Sequence, residues 1–242
     1  MSAVRSYAFF FFLLFFAAMV SACGNAPETG PQTPTGVPSV KPPASQVKEE
    51  KENLQALVLR ARKLARGDSK EQQEAVVLFR KAADAGHPEG IGRLARAYRL
   101  GHGIERDYAM ALKLYEKSIA AGYSAGKVGL GHMYRHGAGV EKDEIRACEL
   151  YRSAAEQRVP GGMYYYGHCF EYGFGGTRPD PEEAVRWYRK ALDTDKDYCY
   201  AYIGLARLYT RGVGVEKNLE EAAKIYKSGA ERGCTGPERL VE

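Results

Sequence analysis

The chain has 242 residues, 45% of them hydrophobic and 27% charged, with a formal net charge of +5, an ordinary globular balance. That charge is too small for a dedicated nucleic-acid binder. Five cysteines in this length exclude a disulfide-dense mini-protein. Phe9, Phe10, Phe11, Phe12, Phe15 and Phe16 crowd the first sixteen residues, so the rest is Tyr-rich and Phe-poor.

Met1–Val20 reads as a secretory signal, with Arg5 as its positive region. The apolar run Tyr7–Val20 is shorter than the roughly 20 residues that span a bilayer. Val20-Ser21-Ala22-Cys23 follows and resembles a bacterial lipobox. The resemblance implies removal of residues 1–22, acylation of Cys23 and the lipid bilayer as a partner, since more than one acyl chain anchors stably. Gly24, where an Asp would retain the protein at the inner membrane, implies the outer membrane by the sorting rule of Gram-negative lipoproteins, facing the periplasm. Residues 23–48 read as a disordered tether. Pro27, Pro31, Pro34, Pro38, Pro42 and Pro43 stand among Thr, Ser and Gly, too few apolar groups to offset the entropy of ordering. Such linkers extend about 3.1 Å per residue.

The remainder repeats. Gly-x-Gly pairs stand at Gly101/Gly103, Gly137/Gly139, Gly173/Gly175 and Gly212/Gly214, in steps of 36, 36 and 39. A short polar residue follows each pair (Asp107, Asp143, Asp180, Asn218), then Ala111, Ala147, Ala184 and Ala222, then Tyr115, Tyr151, Tyr188 and Tyr226. Ala75 and Phe79 extend the series backwards. The polar residues are natural helix N-caps. Asp180/Glu183 and Asn218/Glu221 have the spacing of a capping box, and Pro181 suits a first helical turn. Ala111, Leu114, Tyr115 and Ile119 fall on one helical face, and Gly86, Gly122 and Gly233 are stop signals. A second helix precedes each glycine pair. Its packing trios are Leu94-Ala95-Tyr98, Leu130-Gly131-Tyr134, Tyr166-Gly167-Phe170 and Leu205-Ala206-Tyr209. The small middle residue lets helices approach closely.

Each unit is therefore helix, Gly-rich turn, helix. One pair cannot bury both its faces, but a stack can. The expectation is an all-α solenoid of about five helix-turn-helix pairs. Residues 49–86 form an N-terminal capping pair, with Gly67-Asp68 in place of a Gly-x-Gly turn. Four repeats fill 87–233, and 234–242 is a C-terminal tail. The pattern resembles the Sel1-like repeat family, relatives of the tetratricopeptide repeats. The 39-residue step departs from the family period, through one residue added in Gly173–Asp180 and two around Asp193–Asp197.

The resemblance implies that the first helix of each pair lines a concave face. The groove row is then Arg96, His132, His168 and Arg207, joined by Arg99, Arg135, Glu171 and Thr210. Leu100, His136, Tyr172 and Arg211 follow, with Gly92, Val128, Tyr164 and Ile203 on the other side. Such a surface is mostly basic with Tyr patches, and suits an acidic peptide or carboxylated polysaccharide. Equally, these are solvated polar positions on helices. In the run Tyr164-Tyr165-Tyr166, Tyr166 is expected in the core and Tyr164 in the groove.

Because consecutive helices run antiparallel, Cys148 and Cys169 fall at adjacent helix ends, and so do Cys199 and Cys234. Cys148–Cys169 and Cys199–Cys234 are candidate bridges in an oxidising periplasm; free buried thiols are the alternative. Catalytic signals are weak. Ser124-x-x-Lys127 matches part of the penicillin-recognising signature but has no Ser-Asp-Asn or Lys-Thr-Gly partner. The glycine pairs follow no strand, so they are no dinucleotide fingerprint. His132 and His136, one helical turn apart, lack a third metal ligand in the pattern. No cofactor and no nucleic-acid partner are expected. The reading is a lipid-anchored scaffold or adaptor for another envelope protein. A direct binder of anionic glycan or peptidoglycan fragments is the alternative, and a β-lactamase-like hydrolase ranks below both.

Overall fold

The computed structural model describes residues 44–234. The signal segment, Cys23, the tether up to residue 43 and residues 235–242 of the tail lie outside the described residues. Within them stand α1 (Ala44–Leu64), α2 (Ser69–Asp84), α3 (Pro88–Leu100), α4 (Tyr108–Ala120), α5 (Gly126–His136), α6 (Glu144–Glu156), α7 (Pro160–Tyr172), α8 (Pro181–Thr194), α9 (Cys199–Arg211) and α10 (Leu219–Glu231). No strand interrupts them among the described residues. None of these helices is long and apolar enough to cross a membrane. α1 begins at Ala44, so Ala44–Lys48, assigned above to the tether, is helical.

The four pairs from α3 to α10 close by the same bonds. The caps accept from the third backbone N–H of the following helix: Asp107 from Met110 and Asp143 from Arg146 at 2.9 Å, Asp180 from Glu183 at 3.0 Å, and Asn218 from Glu221 at 2.8 Å. The cap N–H itself donates back to the aromatic of the preceding helix, Asp107 to Tyr98, Asp143 to Tyr134, Asp180 to Phe170 and Asn218 to Tyr209. The residue added before Asp180 therefore leaves the closure intact, and the loop absorbs it. The reciprocal capping box forms at Asp68/Glu71. At Asp180 it does not, because Glu183 turns to Arg186, 2.6 Å away.

The two glycines of a Gly-x-Gly pair do different work. Gly137 ends α5 in the left-handed conformation, φ 65°, which only glycine adopts cheaply. Gly139 presses on the previous repeat, and a Cβ there would stand 2.6 Å from Tyr108 Cβ on α4. Backbone thus rests on the first turn of the preceding outer helix.

The repeated Tyr of α4, α6 and α8 fills the space that the small residues leave. A Cβ on Gly131 would lie 2.5 Å from the Tyr151 ring, and one on Gly167 2.8 Å from Tyr188. Tyr115, Tyr151 and Tyr188 are consequently buried, while Tyr226 on the last helix is 46% exposed. Each buried ring is worth about 1.5–3 kcal/mol by area.

Candidate functional site

The odd-numbered helices approach one another along one face. α3 touches α5 and α5 touches α7 directly. Tyr164 of α7 reaches Tyr200 of α9. This is the inner face of the stack, and the predicted groove residues are drawn from its helices.

From α7 to α9 the face is occupied by its own side chains. Glu171, with its side chain 2% exposed, accepts from both neighbouring groups. Arg207 Nη2 donates to its two oxygens at 2.9 and 2.8 Å, and Tyr188 Oη donates at 2.6 Å. Burial first, and the Glu171 charge second, push the Tyr188 phenol far above its ordinary range, so it remains a donor. Tyr164 stacks on Tyr188 at 5.0 Å, and His168 Nε2 lies 2.9 Å from Tyr164 Oη. Burial and then Arg207 hold His168 down to about 3, so it is neutral at physiological pH. His168 Nδ1 and Arg207 Nε are buried without a hydrogen-bond partner among the described residues, at a cost of about 1–3 kcal/mol each. Tyr172, half exposed, is the rim of this part.

From α3 to α5 the arrangement is different. Arg99 Nε reaches Tyr115 Oη at 3.4 Å, and the Arg135 guanidinium lies over the Phe174 ring at 4.5 Å. Neither pairs with a carboxylate of the described residues. Between them sits His132. Its Nδ1 is 3.2 Å from Tyr151 Oη, and its ring meets the Tyr165 edge at 4.3 Å. Burial, then Arg99, His136, Arg135 and Arg96, hold His132 well below the ordinary histidine range. Tyr165 is pushed up to about 12 by burial first, then Tyr200, against Arg99, Arg135 and Arg96. Of the guanidinium groups that act on these two rings, those of Arg99 and Arg135 have no carboxylate partner among the described residues.

These findings revise the predicted groove. Arg96, Arg99, Arg135, His136, Tyr172 and Arg211 lie on the inner face with solvent access. His132 and His168 are neutral, so the basic character comes from arginine alone, and Arg207 is committed to Glu171. Tyr164 and Tyr166 exchange places relative to expectation. Tyr164 is 6% exposed against Tyr188, whereas Tyr166 is half-buried beside Phe170 and Trp187 on the other side of α7. The helix has to turn Gly167 towards Tyr188, and that sends Tyr164, three residues earlier, to the same side. Tyr165 is a site residue that the pattern hid. It occupies the register of Gly129 in α5 and Gly204 in α9, and a large residue at a small-residue position is the signal that marks it.

The four cysteines of the described residues are paired. Cys148 joins Cys169 across α6 and α7, and Cys199 joins Cys234 across the ends of the last pair. Ser124 and Lys127 face different partners on α6. Ser124 Oγ bonds Gln157, and Lys127 Nζ donates to Ser153 at 2.8 Å. His132 and His136 stack at 6.4 Å, and no group of three metal-ligating side chains gathers among the described residues.

Comparison with known proteins agrees with this architecture. The sequence matches the Sel1 repeat over residues 64–87, 88–123, 124–159, 160–193 and 199–234. The match includes α2 of the pair assigned above to a cap. No curated protein matches the chain. Among solved structures it is similar to c5321, a protective antigen of uropathogenic Escherichia coli with an SLR fold. Identity is 30% and the TM-score 0.55 over 78% of this chain, which spans 41% of that protein. A Sel1 repeat protein of Oxalobacter formigenes is 32% identical, with a TM-score of 0.58 over 73% of this chain and 70% of its own. The immunity protein Pa5087 of Pseudomonas aeruginosa is 25% identical, with a TM-score of 0.59 over 75% and 67%. Five matched repeats, the shared fold and the repeated cap-and-glycine geometry make this chain a member of the Sel1 repeat family.

Proposed function

We propose that the protein is a non-catalytic scaffold of the bacterial envelope that holds a protein partner on the inner face of its solenoid, tethered to the outer membrane through acylated Cys23. The observation that carries the binding surface is the continuous belt of Arg, His and Tyr across α3, α5, α7 and α9, with Arg99 and Arg135 balanced by no carboxylate of the described residues. Arg and Tyr are the side chains that most often anchor interfaces. The lipobox-like Val20–Cys23 and the Pro-rich stretch after it support the anchor. The Escherichia coli relative is a protective antigen and the Pseudomonas relative an immunity protein. The five Sel1 repeats, with this likeness, favour a protein partner here.

Two measurements test this reading. Labelled palmitate should enter the wild-type chain and not Cys23→Ala, which should leave the membrane fraction. Charge reversal of Arg99 and Arg135 to Glu should abolish recovery of the envelope partner, while reversal of the exposed Lys113 and Lys117 on α4 should not. Equal recovery from both variants would reject the inner face.

A further inference from the structure

The two halves of the inner face arrange their charged side chains differently. In the α7–α9 half, Arg207 and the Tyr188 hydroxyl converge on Glu171, a carboxylate carried by the chain itself at 2.6–2.9 Å. The repeat puts Arg99, Arg135 and Glu171 at corresponding positions of α3, α5 and α7. In α3 and α5 that position holds an arginine in place of the carboxylate, and the position of Arg207 is taken by His132 in α5. Tyr151 Oη and Tyr165 stand beside these arginines as Tyr188 and Tyr164 stand beside Glu171. Two partly exposed guanidinium groups beside aromatic rings, with no carboxylate partner among the described residues, are open to an anion, and their planar forks fit a carboxylate in two-point fashion.

We propose that the concavity between α3, α5 and α7 is a carboxylate subsite, in which Arg99 and Arg135 receive a Glu or Asp side chain from an acidic segment of the protein partner. This rests on the inner-face reading above. Glu171 is the internal precedent for the occupant: a carboxylate on a flexible stem, borne by a polypeptide backbone and reached by both an arginine and a tyrosine hydroxyl. The Tyr165 ring supplies the apolar wall against which the stem packs.

The probe is poly-L-glutamate, measured by fluorescence anisotropy with the purified chain lacking residues 1–22, against polygalacturonate of matched charge. Replacing both arginines (Arg99→Gln with Arg135→Gln) should weaken poly-L-glutamate at least tenfold. Lys113→Gln with Lys117→Gln removes the same charge from the exposed side of α4 and should change affinity less than twofold. His136→Glu gives an independent arm. His136 is exposed one turn beyond His132 and lies in the field of Arg135 and Arg99. A carboxylate there should occupy the arginines and weaken the probe by a similar factor, even if the double arginine variant folds poorly. Equal weakening by the lysine pair, or undiminished binding in His136→Glu, would overturn the subsite. Tighter polygalacturonate binding that depends on the same arginines would overturn the peptide occupant in favour of a uronate glycan. Those failures leave the capture of an envelope partner untouched. Loss of that capture with Arg99- and Arg135-dependent poly-L-glutamate binding intact would fell the scaffold reading alone.

Discussion

Between α7 and α10 the molecule satisfies its own charges and staples itself shut. Glu171 takes Arg207 and Tyr188, and both disulfides lie at or beyond α6. Between α3 and α6 the same repeat keeps Arg99 and Arg135 without a carboxylate partner among the described residues, and no disulfide joins the described elements before Cys148. The fold is common to both halves, so the difference belongs to a few substitutions at fixed register. What differs is where the stability is concentrated: one half is rigid and self-paired, the other is left with unspent binding capacity.

Breaking the rigid half gives the largest effects. Cys148→Ser with Cys169→Ser should cost about 2–4 kcal/mol in chemical denaturation, with deuterium exchange rising in α6 and α7 more than in α3. No change in α6–α7 exchange would mean that the bridge does not hold that half. Glu171→Gln should cost about 2–3 kcal/mol, a buried pair broken on one side, lessened because the Arg207 side chain is a third exposed. Arg135→Gln, in the open half, should cost under about 0.5 kcal/mol. If the two variants melt alike, the contrast between the halves is wrong.

Acid sharpens the same comparison. The folded pKa of His168 lies below its unfolded value of about 6.5, so the unfolded chain binds the extra proton first. The stability contributed by neutral His168 is complete above that value and is lost as pH falls towards about 3. At pH 5 the loss should be about 2 kcal/mol, and a His168→Phe variant should show a flatter profile between pH 6.5 and 4. An unchanged slope would place the acid sensitivity elsewhere.

The tyrosines offer a finer test. Tyr188→Phe removes a donor to a buried carboxylate and should cost about 2 kcal/mol, whereas Tyr151→Phe loses its contacts to neutral His132 and to the partly exposed Arg135 and should cost about 1 kcal/mol. One further small effect is expected to be a gain, at the joint between the halves. Arg158 follows α6 with φ 57°, where the corresponding Gly86, Gly122 and Gly233 have positive φ and no Cβ to strain. Arg158→Gly should stabilise by about 0.5–1 kcal/mol, read as a small rise in Tm; a fall would mean that the arginine side chain contributes something the backbone argument omits.

The repeats were legible because their signals are local and recur: a cap, an alanine four residues on, an aromatic four beyond that, and a glycine to stop. The antiparallel run of consecutive helices places Cys148 near Cys169 and Cys199 near Cys234, as the structure does. Side-chain facing was less legible. Tyr164, Tyr165 and Tyr166 are chemically identical, and only the demand that Gly167 meet Tyr188 fixes which one turns inward. Nor does sequence show that Glu171 cancels Arg207 or that burial keeps His132 and His168 neutral. A count of basic letters along the inner row therefore overstates its charge.

The most direct test of inner-face recognition is photo-crosslinking in the native envelope from single positions. A photoreactive residue would replace His136 in the open half, Tyr172 at the rim of the rigid half, and Lys113 on α4. The account predicts one recurring protein adduct from His136 and Tyr172, and none from Lys113. Adducts from Lys113 alone, or no protein adduct from either inner position in a well-expressed chain, would contradict it.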